Sequence, residues 1–105
     1  MRRVFRLTSQ AYAEVGDLLL EVPALQANEV AELVLDMGAV VLLDSMLIGQ
    51  LVRLQLACGR SGFALKLDGL SPNVLRTLTF SGVGELFGFE TPDPPSFHAR
   101  EAPGT

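Results

Sequence analysis

Leu33-Val34-Leu35-Asp36 opens the stretch that decides the fold. The apolar run Met37 to Leu43 follows it, then Asp44-Ser45, then the pattern of Met46 to Cys58. Val30 to Leu35, broken only by Glu32, is short enough for a buried strand and ends at Asp36. Asp44 or Ser45 offers an oxygen to the orphan N–H groups of a helix start. In Met46 to Cys58, Leu47, Leu51, Leu54 and Cys58 share one stripe with Ile48 and Val52 beside it, so this helix should be heavily buried. Gly59 is placed to stop it in the left-handed region. Met37 to Val52 is also the greasiest segment. It has 16 residues with Asp44 in the middle, whereas a bilayer span wants about 20 residues and a mid-membrane Asp costs ~2.5–3.5 kcal/mol. It reads as a strand and a buried helix of a soluble domain, with no membrane span.

Outward from this centre, helices and strands alternate. Val4 to Leu7 has β character. Ala11, Val15, Leu18, Leu19 and Val22 then fall at helical spacing, with Ser9 available as N-cap and Pro23 expected to stop the helix. Ala24 to Glu29 is a connection. Beyond Gly59, Phe63 to Asp68 alternates apolar and polar as a half-exposed strand does. Ser71-Pro72 is the strongest local signal, an N-cap serine with proline at the first helical position. Val74, Leu75 and Leu78 give that helix its buried stripe, Gly82 or Gly84 ends it, and Leu86 to Phe89 is a short strand or turn. The pattern predicts strands near 4–7, 31–36 and 63–68 in one mixed sheet, with helices near 10–22, 46–58 and 72–81 packed on it, an α/β domain. Residues 1–90 form a single domain in this reading, and the polar, proline-containing residues 91–105 a flexible tail.

Composition narrows the function. The 105 residues are 49% hydrophobic and 19% charged, enough to build one core. Eight Lys and Arg against twelve Asp and Glu leave a formal charge of −4. Nucleic-acid binding, which draws most of its affinity from neutralised phosphates, is not expected. One cysteine and no spaced Cys/His ligands imply a reducing, cytoplasmic setting with no metal centre and no cofactor. Met1-Arg2-Arg3 is not followed by an apolar stretch of signal-peptide length.

Catalytic inventory is thin. The only histidine, His98, falls in the tail, and Cys58 sits on the buried stripe as a packed thiol. Asp36 and Asp44 close apolar runs, where α/β folds often place functional groups, but no second polar cluster joins them. An enzyme using this pair is the weaker reading, and no residue is assigned as catalytic. Gly82-Val83-Gly84 follows a helix, whereas a dinucleotide loop follows a strand. Arg2, Arg3 and Arg6 read as a solvated N-terminus.

From Leu33 to Asp68 the chain resembles the STAS domain, the fold of bacterial anti-sigma factor antagonists. The resemblance rests on Leu33-Val34-Leu35-Asp36, the eight-residue step to Asp44-Ser45, Gly49-Gln50-Leu51-Val52, Gly62-Phe63-Ala64-Leu65, Leu70-Ser71-Pro72-Asn73-Val74 and Gly82-Val83-Gly84-Glu85-Leu86-Phe87. It covers about residues 4 to 90. A typical member has one more strand before Val4–Leu7, so the resemblance implies that this strand is dispensed with or comes from another chain.

The family's phosphoacceptor is the second hydroxyl residue of its motif, and here that position is Met46, followed by Leu47 in place of glycine. Ser45 matches the first hydroxyl and is the one candidate phosphosite. The resemblance implies a non-enzymatic module that binds a protein through Asp44, Ser45, Met46 and Leu47. Its partner would be an anti-sigma factor or kinase-type protein in partner-switching control of transcription. Alternatively, as in the more loosely similar STAS subunits of phospholipid-transport ABC systems, it would be an ABC ATPase. A homodimer is compatible with either.

Overall fold

Leu33, Val34 and Leu35 are all buried because their strand lies between two others. The computed structural model describes residues 1–89. It runs β1 (Arg2–Arg6), α1 (Ala11–Ala27), β2 (Glu32–Asp36), α2 (Ser45–Arg60), β3 (Ala64–Asp68), α3 (Pro72–Phe80) and a 3-10 helix over Gly84–Phe87. The sheet order is β1-β2-β3. Arg2, Glu32 and Ala64 stand in one row and Arg6, Asp36 and Asp68 in another, both pairings parallel. The mixed pairing expected from the sequence is therefore absent among the described residues. Successive β-helix-β crossovers favour parallel neighbours, and α1 and α2 supply both crossovers.

Alternation assigns the two faces of the sheet. Leu33 and Leu35, with Leu65 and Leu67, join Val15, Leu18, Leu51 and Leu54 of the helices in the core. Fully burying each leucine contributes about 1.5–3 kcal/mol. The opposite face carries Arg2, Glu32, Lys66, Arg6 and Asp36. Arg2 and Lys66 both reach Glu32 at 3.3 Å, and Arg6 reaches Asp36 at 3.2 Å. These are solvent-exposed pairs, worth at most about 1 kcal/mol each. Parallel sheets are usually covered on both faces; here the second face is screened by its own ion pairs.

Several expectations are corrected. Helix α1 does not stop before Pro23 but continues to Ala27. Val22 and Leu25 are both buried on its inner stripe, and that packing outweighs the proline's missing donor. The turn is closed by Glu29 N–H donating to Gln26 and Val30 N–H donating to Leu25, with Glu29 at φ 60°. Ser9 does not cap this helix. Gln10 occupies the cap position without a side-chain bond, and Thr8 instead donates from its N–H and Oγ1 to the Glu14 carboxylate, both at 2.8 Å.

Met37 to Leu43 is a loop rather than a strand. Met37 N–H donates to Asp68 at the end of the ladder, and Val40 N–H then turns back to Met37. Its apolar character reflects a three-residue burial rhythm of Met37, Val40 and Leu43. Gly59 lies inside α2, and the left-handed residue after that helix is Gly62 at φ 87°. Leu86 to Phe89 forms no strand; Gly84–Phe87 is a 3-10 helix ended by Gly88. Ser71 caps α3 as expected, accepting from Val74 N–H at 3.2 Å. The proposed tail, residues 91–105, with His98, lies outside the described residues.

Candidate functional site

The loop from Met37 to Asp44 leaves the carboxyl end of β2 and delivers the chain to the start of α2. Asp44 has extended backbone (φ −97°, ψ 174°), and its Oδ1 accepts from Leu47 N–H at 2.9 Å. This bond sets the rotational phase of α2. Leu47, Leu51, Leu54 and Cys58 turn inward, while Ser45, Met46, Gly49 and Arg53 turn outward.

Three of the four residues expected at a partner surface are therefore exposed: Asp44, Ser45 and Met46, the last at 62%. Leu47 is not. It is a core residue, and its place at the head of the Leu47-Leu51-Leu54-Cys58 stripe already carried that signal.

Sequence reasoning missed Val41 and Leu42, which are 80% and 70% exposed, and Tyr12 at 47%. The apolar run concealed them because every third residue of it is buried. Together with Asp44, Leu47 and the Thr8–Ala11 segment they line a cleft of about 220 Å³. A second depression of about 240 Å³ lies between Tyr12 of α1 and Ser45, Met46, Gly49, Gln50 and Arg53 of α2. Gln50 is buried and donates through Nε2 to the Tyr12 carbonyl at 3.3 Å, fastening α1 to α2 beneath this depression.

Asp36 is occupied differently. Its Oδ1 accepts from Gly38 N–H at 2.9 Å and its Oδ2 meets Arg6 Nε at 3.2 Å. The Gly38 bond, with help from Arg6 and against partial desolvation, holds the carboxyl below the usual carboxylate range. A Cβ on Gly69 would stand 3.0 Å from this oxygen, and one on Gly38 3.1 Å. Backbone thus comes close to the Asp36 carboxylate on its Oδ1 side, and each member of the Asp36/Asp44 pair accepts from a main-chain N–H. Burial pushes the Cys58 thiol up to about 11, as suits a packed side chain.

Among the described residues no group of three or more His, Cys, Asp or Glu side chains is placed to hold a metal ion. No helix among them is long and apolar enough to cross a membrane. The arrangement is an apolar-rimmed cleft beside a capped helix start. A family model described as "Mlab, STAS domain" matches residues 6–88. No curated protein matches the chain, and no solved structure does.

Proposed function

Since the chain belongs to the STAS domain family, we propose that it is a non-enzymatic protein-binding module that meets its partner at the start of α2. The observation that carries this reading is the exposure of Val41 and Leu42 at the cleft beside Asp44, and of Met46 at the adjoining depression beside Ser45, with Tyr12 common to both. Exposed apolar side chains grouped at a concave site are what interface centres are made from.

The binding is constitutive in this reading. Met46 has no hydroxyl to phosphorylate, and methionine adapts to irregular apolar partners. Ser45, exposed at the first position of α2, is the only hydroxyl of the motif left for a phosphate. Charge brought there would stand beside Asp44 and oppose docking. Partner switching with a kinase-type anti-sigma factor remains the first setting for such a module. The missing hydroxyl at 46 specifically favours the second, a regulatory subunit bound to an ABC ATPase, because neither contact nor release then depends on that phosphate. Both settings are cytoplasmic.

Met46→Asp tests the surface. Asp at the second position of a helix suits the dipole and leaves the core alone, so the variant should melt as the wild type does. Its affinity for the kinase-type anti-sigma factor or the ABC ATPase of the same genome should fall at least tenfold, the roughly 1.4 kcal/mol or more expected for an interface anchor. Unchanged affinity for whichever of the two binds the wild type would refute the site. Intact-mass measurement after incubation with the kinase should find no phosphate at 46 and at most one, on Ser45.

A further inference from the structure

Apart from Gly59, every exposed residue of α2 falls at 45–46, 49, 53, 56 or 60, a spacing of three and four that lines one side of the helix. The buried stripe of Leu47, Leu51, Leu54 and Cys58 lies on the other side. The solvent face of such a helix ordinarily carries charged and polar side chains. Here it carries Met46 and Leu56, 62% and 49% exposed, with Gly49 between them. The fold does not require that glycine: a Cβ there would meet no heavy atom within 4 Å, and alanine would suit the helix better.

The charges of the stripe have one sign. Arg53 and Arg60 are the only charged residues of α2 and stand seven apart. Both are exposed, and neither guanidinium has an ion pair or hydrogen bond among the described residues. The neighbouring helix does not neutralise them. Tyr12 and Gly16 of α1 face α2 at Gln50, whereas Glu14, Asp17 and Glu21 recur at helical spacing on the side of α1 turned away. On a chain of formal charge −4 this face is locally positive.

We propose that the stripe seats an amphipathic helix of the partner, which presents carboxylates at heptad spacing to Arg53 and Arg60 and apolar side chains to Met46 and Leu56. Three-and-four spacing is the seam along which helices pack side by side. Gly49 adds no side chain to hold the incoming helix off. From Met46 to Arg60 the stripe runs about 21 Å, about four helical turns. A second copy of this chain is a poor occupant, because α2 laid on α2 would set arginines against a stripe without a carboxylate. The inference rests on the reading that a partner meets the start of α2, where Met46 is shared, and names what that partner presents.

NMR titration of the isotope-labelled full chain reads the contact residue by residue. The probe is a synthetic amphipathic helix of about three heptads, with leucine along its seam and glutamate at heptad spacing beside it. Peptide up to about 1 mM covers a weak complex. Amide shifts should centre on Met46, Gly49, Arg53, Leu56 and Arg60. A peptide with lysine for each glutamate should bind at least tenfold more weakly. Arg53→Glu combined with Arg60→Glu should reverse that preference. Arg53→Glu alone and Leu56→Asp, both at exposed positions, should each weaken the glutamate peptide severalfold while the chain remains folded by its melting curve. No shifts with either peptide, equal affinity for the two, or shifts centred away from α2 would overturn the proposal. If neither peptide binds while Met46→Asp still weakens the natural partner, the docking site stands and the acidic helix alone is refuted. A natural partner indifferent to Met46→Asp, Arg53→Glu and Leu56→Asp would overturn both.

Discussion

Asp36 and Asp44 stand eight residues apart, and the fold uses them in opposite ways. Around Asp36 the neighbours are Gly38 and Gly69, and main chain closes in on the carboxylate. Around Asp44 the neighbours are Val41, Leu42 and Met46, whose side chains point to solvent. Each carboxylate accepts one backbone N–H. At the first, the neighbouring side chains are removed so that two loops can meet; at the second, large apolar side chains remain without an internal purpose. A corner closed on itself contributes stability, whereas an open rim of the same construction is where contact with another molecule is to be expected.

The largest effect should come from breaking the closed corner. Gly69 has φ 71°, and a Cβ there would stand 3.0 Å from Asp36 Oδ1 and 3.4 Å from Gly38 N. Gly69→Ala therefore combines a left-handed alanine with a close contact and should cost about 1–3 kcal/mol in chemical denaturation. Partner affinity per folded molecule should not change. A neutral result would mean that the corner yields easily and that its glycines are not needed for close approach.

Opening the rim from its structural side should cost less. Asp44→Ala removes the acceptor of Leu47 N–H and should destabilise by about 1 kcal/mol, the usual worth of an N-cap. Asp44→Asn keeps an acceptor and should stay within about 0.5 kcal/mol of the wild type. If the two variants lose the same stability, the charge rather than the hydrogen bond holds the start of α2, and the comparison with Asp36 narrows.

What could be read in the sequence follows from how local each cause is. Ser71-Pro72 and Asp44 announce helix starts because cap chemistry is contained within three or four residues, and both caps are present. The Leu47-Leu51-Leu54-Cys58 stripe is likewise a property of one helix. Pro23 misled because a local rule against proline was outweighed by Leu25, which is buried only once α1 lies against the rest of the fold. Met37 to Leu43 misled because an apolar run does not disclose its own periodicity: Val40 and Leu43 go inward while Val41 and Leu42 go outward. Gly59 and Gly62 are three residues apart at one helix end, and composition cannot choose between them. The candidate rim was legible at Asp44, Ser45 and Met46, whereas the loop that completes it depends on contacts distant in sequence.

The smallest effect concerns the proton equilibrium of Asp36. Its carboxyl titrates below the ordinary value of about 4 because the Gly38 N–H and Arg6 favour the charged form. A carboxyl held lower in the folded state than in the unfolded chain adds stability that is fully present above the unfolded pKa. That contribution is lost as pH falls through the folded pKa. Stability owed to Asp36 should therefore be level at neutral pH and decline below about pH 4. Asp36→Asn retains a side-chain oxygen for Gly38 N–H but no longer titrates, so its unfolding midpoint should fall less steeply across that acid range. The group is solvent-facing on its Arg6 side, and added salt should bring the two curves closer by screening that pair. Parallel acid curves for wild type and variant would show that the close approach of Gly38 and Gly69 fixes the carboxylate's position without changing its affinity for a proton.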